Sequence, residues 1–145
     1  MIAALTEHQI RRYARHLVLG AVGMPGQKRL LSATLRVDLD GPAAHVALAY
    51  LAAAGVGTLA IGRATGSIGA DEIAGAPLLV SADIGRPRLA ALGERVAALN
   101  PDSEVIEATD EQPIAIESAG DPAGALIAGG LAAARAIAAI CQERQ

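Results

Sequence analysis

Apolar and polar positions follow two rhythms along the chain. The first is helical. Ile10, Tyr13, Ala14 and Leu17 recur at three- and four-residue spacing, while Arg11, Arg12, Arg15 and His16 crowd the remaining surface. Thr6, three residues ahead of Gln9, reads as a capping box, so a helix is predicted from about Glu7 to Leu19. Gly20 to Gly26 interrupts it, and a short helix near Gln27 to Ser32 follows. Thr34 to Leu39 then reads as a strand, although Asp38 is unusual for a buried one.

Asp40-Gly41-Pro42 is a turn, and Pro42 suits the first turn of a helix running to about Ala54. Gly55-Val56-Gly57 ends that helix, and Thr58 to Gly62 forms a second strand. This strand-turn-helix-strand unit is about 30 residues long, enough for a parallel crossover. Arg63 to Pro77 has no period and reads as a loop. Arg86 to Leu99 is an amphipathic helix closed by Asn100-Pro101. Ser103 to Ala108 and Pro113 to Ile116 are compatible with two more strands. Asp121 and Pro122 open a last helix, Ala123 to about Gln142, with small residues on all sides. The order implies one α/β domain: an N-terminal helical segment over 1–33 and a reduced α/β core over 34–145. The expected architecture is a small doubly wound, Rossmann-like sheet of about four strands, closed by the small-residue helix.

Composition narrows the chemistry. One compact domain suits 145 residues. With 52% apolar and 19% charged residues, the chain can form a packed core. That core must be tightly spaced, because 34 residues are Ala, two are Tyr, and Phe and Trp are absent. A net charge of −3 leaves no basic footprint, which disfavours nucleic acid as a partner. The single cysteine, Cys141, excludes an internal disulfide and a multi-cysteine zinc site and is expected to be inert. His8, His16 and His45 share no metal-ligand spacing, so ordinary roles are expected for them. No charged segment leads into an apolar one at the N-terminus, so no secretory signal is expected. Arg135 interrupts the last helix short of the roughly 20 residues a membrane span needs. A cytoplasmic protein is the expectation.

Several segments resemble one family, the ThiF/MoeB/HesA group of E1-like adenylyltransferases that activate ubiquitin-like proteins. Leu5-Thr6 through Arg12-Tyr13-Ala14-Arg15-His16 is similar to its "LS…RYxRQ" opening, and Gly26-Gln27 through Leu30-Leu31 to its "GQ..L" helix. Tyr50-Leu51-Ala52-Ala53-Ala54-Gly55-Val56-Gly57 resembles "YLA.AGVG". Ile84-Gly85-Arg86-Pro87-Arg88 resembles "vGxPK", and Leu99-Asn100-Pro101 resembles "lNP". The resemblance runs from about Leu5 to Pro101, with a weaker match of Ala123 to Ile140 to the family's C-terminal small-residue helix. It implies a fold that binds Mg-ATP, adenylates the C-terminal glycine of a ubiquitin-like carrier, and works as a dimer.

The nucleotide residues depart from the family's pattern. Leu39-Asp40-Gly41-Pro42-Ala43-Ala44 stands where the family has GxGGxG, and of its glycines only Gly41 survives. Leu39 and Ala44 add β-carbons where phosphate and strand approach, and Pro42 removes a donor N–H. Asp40 places an anion near the expected triphosphate. Repulsion at 4 Å is roughly 4 kcal/mol at an effective dielectric of 20, or about a thousandfold in affinity. Arg63 replaces the ribose-binding acid, and the family's Asn and Arg of the next loop align near Asp71 and Ala74 or Gly75. Arg88 replaces the family's Lys, keeping charge but not shape. Asp110, in Ala108-Thr109-Asp110-Glu111, is the candidate for the magnesium-binding Asp. Arg15 matches the family Arg that reaches the partner's ATP; its plainer reading is a solvated face shared with Arg11 and Arg12. The family's carrier-binding region and paired CxxC zinc motifs are not found in these residues.

The sequence therefore points to a non-catalytic E1-like domain, an accessory, regulatory or scaffold subunit with no expected cofactor and no zinc. It would act as a homodimer or as a heterodimer with an E1-like protein, with a ubiquitin-like carrier a further partner. One alternative is an active minimal adenylyltransferase using ATP and magnesium through Gly41, Arg88, Asp110 and Arg15. Another is a structural protein that self-assembles through its Ala/Gly helices.

Overall fold

Three parallel strands run side by side in the order β1 (Thr34–Asp38), β2 (Thr58–Gly62), β3 (Glu104–Glu107). Thr34 lies opposite Thr58, and Thr58 opposite Glu104. The computed structural model describes residues 3–143. Helix α4 (Pro42–Ala54) crosses from β1 to β2, and both it and β2 occupy the bounds the sequence predicts. The second crossover holds a short helix inside the predicted loop, α5 (Ala70–Ile73), then a 3₁₀ turn (Ser81–Asp83) and α6 (Arg88–Leu99). Helix α7 (Pro122–Gln142) follows β3 and opens on Asp121, whose side chain accepts from the Gly124 N–H.

The fourth expected strand is reduced to one contact. Arg36 pairs with Pro113, and the Ile114 N–H donates to the Arg36 carbonyl at 2.9 Å. Pro113 has no N–H with which to extend the ladder. Among the described residues the sheet therefore has three strands, with this single bridge on the far side of β1. The chain returns past its first strand, so strand order reverses at β1, the place where doubly wound folds open a crevice.

The predicted helix from Glu7 to Leu19 is two short helices, α1 (Glu7–Arg12) and α2 (Ala14–Leu17). The capping box forms: the Gln9 N–H donates to Thr6 Oγ1 at 3.2 Å, and the Thr6 N–H to Gln9 Oε1 at 3.0 Å. The break falls at Tyr13, whose ring turns inward and is 1% exposed. Its hydroxyl donates to Asp102 Oδ2 at 2.9 Å and accepts from Asn100 Nδ2 at 2.9 Å. Burial, with Asp102 alongside, pushes the Tyr13 phenol up to about 12. Helix α3 (Gly23–Ser32) starts earlier than predicted, with Pro25 in its first turn, where a missing N–H leaves no intrahelical bond unmade.

The same residues finish α4. Asn100 Nδ2 also donates to the Ala52 carbonyl at 2.9 Å, and Gln27 Nε2 to the Ala54 carbonyl at 3.0 Å. Both are carbonyls of the last turn, and that of Ala52 also accepts from the Gly55 N–H at 3.1 Å. Gly55 closes the helix at φ 89°, a left-handed position. The opening segment, the Gly26-Gln27 helix and the Asn100 turn thus converge on one end of α4.

Helix α4 is buried along most of its length, including Ala43, Ala44, Val46, Ala47, Leu48, Leu51 and Ala52. Its long partner is α7, which presents Ala125, Gly129, Ala132 and Ala133. A β-carbon on Gly129 would lie 2.4 Å from the Ala43 carbonyl oxygen and 2.7 Å from Val46 Cβ, so the two backbones touch there. Arg29 Nε of α3 donates to the Ile140 carbonyl at 3.0 Å and ties down the far end of α7. By length and composition alone α7 is apolar enough to cross a membrane, a correction to the sequence reading. One Arg, three residues past the middle of α7, does not take it below that measure. In this fold one face of α7 lies against α4 and α3.

Gly129→Ala should therefore destabilise the protein by about 1–3 kcal/mol, as overpacking does. Gly130, one residue on, faces only Tyr50 Cε2 at 3.6 Å. Gly130→Ala should be neutral or stabilising by up to about 1 kcal/mol through helix propensity. Urea unfolding of the two variants checks the pair.

Candidate functional site

A cleft of about 430 Å³ opens beyond the C-terminal ends of β1 and β2, beside the first turn of α4. Leu39, Gly41 and Pro42 form one wall. Gly41 sits at φ 105°, a conformation that L side chains rarely adopt, while a β-carbon there would meet nothing within 4 Å. Of the first-turn N–H groups of α4, Pro42 contributes none and Ala44 donates to the Gly41 carbonyl at 3.2 Å.

The opposite wall is an ion cluster on residues far apart in sequence. Arg88, at the start of α6, points its guanidinium fork at Glu72 of α5. Nε lies 2.9 Å from Oε1, and Nη2 lies 2.9 Å from Oε2. Nη2 also donates to the Ser67 carbonyl at 2.9 Å, and Nη1 to the Thr65 carbonyl. Four of the five guanidinium N–H groups are thereby engaged, one on Nε, one on Nη1 and two on Nη2. His45 of α4, 5% exposed, places Nε2 3.2 Å from Glu72 Oε1. Burial favours the neutral imidazole, with Glu72 pulling the other way. Hydrogen bonds from Arg88 hold the Glu72 carboxyl below the usual carboxylate range. At the mouth, Arg63 Nη1 pairs with Asp40 Oδ1 at 2.5 Å, both side chains more than half exposed.

The approach of Arg88 to the cleft depends on Asp83. That carboxylate is fully covered and accepts from Arg95 Nε and Nη2 at 3.0 Å, Arg86 Nη1 at 2.8 Å and the Val80 N–H at 2.9 Å. The turn it holds runs into Gly85, which donates to the Ile68 carbonyl at 2.8 Å, while the Arg88 N–H donates to the Gly66 carbonyl at 3.0 Å. Residues 66–68 and 85–88 are thus clamped together beside the cleft.

Of the residues singled out from the sequence, Leu39, Gly41, Pro42, Arg63, Asp71 and Arg88 line this cleft. Arg15 does not; it is exposed on α2. Asp110 lies in an exposed bend after β3 and is not part of the lining. Among the described residues no cluster of three or more His, Cys, Asp or Glu side chains is placed to hold a metal ion. Cys141 is buried, its sulfur close to where a Gly26 β-carbon would lie, and burial pushes its thiol up. His45 and Glu72 are the cleft residues that sequence reasoning missed. His45 sits in the altered loop-helix segment and Glu72 in the loop opposite it, but nothing local marks them as a pair.

HesA of the heterocyst of Trichormus variabilis is 37% identical over 101 residues, covering 70% of this chain and 38% of HesA. The SAMP-activating enzyme E1 of Haloferax volcanii is 34% identical over 110 residues, covering 72% of this chain and 38% of the enzyme. The chain belongs to the ThiF/MoeB/HesA family of E1-like domains. It spans about two fifths of the length of these relatives. No family model matches it. The fold agrees: E. coli tRNA N6-threonylcarbamoyladenosine dehydratase, TcdA, solved in complex with ATP, superposes with a TM-score of 0.63 at 17% identity, over 74% of this chain and 43% of TcdA. In this E1-like domain the matching segments at Tyr13, Gly26-Gln27, Tyr50–Gly57 and Asn100 gather at the C-terminal end of α4, while Ile84–Arg88 and the altered loop lie at the cleft.

The Asp83 clamp sets a pH dependence. Its carboxyl, bonded first by Arg95, is held far below the usual carboxylate range. The unfolded chain therefore takes up a proton that the folded chain does not, so stability is present above about pH 4 and falls as pH drops below it. Asp83→Asn should lower the melting temperature at neutral pH and flatten the loss between about pH 4 and 2. Thermal unfolding across that range checks both effects.

Proposed function

We propose that this E1-like domain is a non-catalytic, cytoplasmic accessory or regulatory subunit that neither binds Mg-ATP nor adenylates, and that acts by pairing with itself or with an E1-like partner. The observation that carries the reading is the first turn of α4. An anion held at a helix N-terminus needs free backbone N–H groups pointing at it. Here Pro42 supplies no N–H, that of Ala44 is taken by the Gly41 carbonyl, and Asp40 stands at the mouth. Electrostatics adds to this support. Arg63 and Arg88 line the cleft against Asp71 and Glu72, and Asp40 adds a third anion, so no net positive field awaits a triphosphate. Leu126, Ile127 and Leu131 stand exposed on α7 beside exposed Tyr50, an apolar face suited to association. Arg15, exposed on α2, is the group we assign to a partner's nucleotide site.

Titration calorimetry with Mg-ATP should give binding no tighter than millimolar. Micromolar binding would overturn the reading in favour of an active adenylyltransferase. Light scattering should give a dimer, and a large assembly indifferent to nucleotide would favour a structural role. With an E1-like partner present, Arg15→Ala should lower the partner's ATP-pyrophosphate exchange, and unchanged exchange would remove the accessory role.

A further inference from the structure

The contact between Arg88 and Glu72 has the form of a bound oxyanion. Two guanidinium nitrogens meet two carboxylate oxygens at 2.9 Å, the forked arrangement by which arginine also takes phosphate. A third group converges on the same carboxylate, His45 Nε2 at 3.2 Å from Oε1. Facing a carboxylate, Nε2 carries the hydrogen, so His45 donates whether its ring is neutral or charged. We infer that Glu72 is an internal ligand, its carboxylate occupying an oxyanion seat built from Arg88 and His45 and withholding that seat from free phosphate-type anions. The inference rests on the reading that the cleft takes up no nucleotide, and gives it a removable cause.

The placement supports a seat rather than an ordinary structural pair. Arg88 has anchors besides Glu72, because the Thr65 carbonyl accepts from Nη1 and the Ser67 carbonyl from the second N–H of Nη2. His45 is fixed by its place in α4 and is 5% exposed. Glu72, by contrast, rides on a four-residue helix with no buried residue. The seat is therefore preorganised and its occupant is held on a light element. The cleft that contains all three has room for a larger anion, at about 430 Å³. A tethered carboxylate acts at an effective concentration that free anions in the millimolar range do not match. Remove its charge, and Arg88 is left as an uncompensated cation in a partly covered site, which an external anion relieves.

Asp71 supplies the control. It lines the same cleft but makes no ion pair with Arg88. Titration calorimetry with inorganic pyrophosphate at low ionic strength, on chains checked for folding by thermal unfolding, compares the variants. Glu72→Gln should bind pyrophosphate roughly tenfold or more tightly than the unmodified chain. Asp71→Asn, which removes the same charge from the same cleft, should gain less than Glu72→Gln does, and adding Arg88→Gln to Glu72→Gln should abolish the gain. Equal binding by the unmodified chain and the Glu72→Gln variant, or an equal gain from Asp71→Asn, overturns the inference. Should Glu72→Gln fail to fold, Arg88→Gln alone tests the seat by NMR titration. The Glu72 carboxyl should then titrate nearer the ordinary range, and an unchanged titration overturns the seat. ATP binding by the unmodified chain counts against the non-catalytic reading, whereas failure of the pyrophosphate gain counts against the seat alone.

Discussion

Everything in this fold is arranged around α4, and α4 is held in place by how closely α7 can approach it. The two backbones touch at Gly129, where the space for a β-carbon is already filled by the Ala43 carbonyl and Val46. A chain without Phe or Trp has few large side chains with which to bridge a wider gap. Close helix packing through Ala and Gly replaces bulk with contact, because dispersion at near-crystalline density rewards proximity. The Ala-rich composition and the α4–α7 crossing are thus one property seen at two levels.

The two ends of α4 serve different purposes. At its C-terminal end Asn100, Gln27 and Gly55 satisfy carbonyls and reverse the chain, and Tyr13 packs against them. A buried polar network of this kind is costly to leave incomplete, and among the described residues no buried side-chain polar atom lacks a partner. At the N-terminal end Leu39, Gly41 and Pro42 face the cleft, while Ala43 and Ala44 turn into the packed interior. A substitution at the first end disrupts the core. At Gly41 or Pro42 it alters what the cleft can hold, whereas Ala43 and Ala44 are buried and belong with the core.

That division explains what was legible in the sequence. Helix α4, strand β2, the capping box at Thr6 and the start of α7 at Asp121 follow from short-range rules, and they lie where those rules put them. The break at Tyr13 was not legible, because it answers to Asn100 and Asp102, nearly ninety residues away. Nor was the loss of the fourth strand to the single bridge at Pro113. In the cleft, Gly41, Arg63 and Arg88 could be found by matching positions to a family. His45 and Glu72 could not, since the family pattern assigns them nothing and their meeting depends on where a four-residue helix settles.

The charge pattern of the cleft then reads as a set of exchanges. Asp40 and Arg63, at positions to which the family resemblance gives a phosphate loop and a ribose-binding acid, pair with each other at 2.5 Å. Arg88, at the position to which the resemblance gives a lysine, meets Glu72. Each cation left in the cleft has acquired an anion of its own. The mouth pair is exposed and worth little to stability, at most about 1 kcal/mol. The inner pair is mostly covered, with both side chains below one fifth exposed, and leaving either partner alone there is costly. Neutralisation at the mouth is therefore incidental to the fold, whereas at the base it is coupled to it, and it is at the base that a change of charge disturbs cleft and fold together.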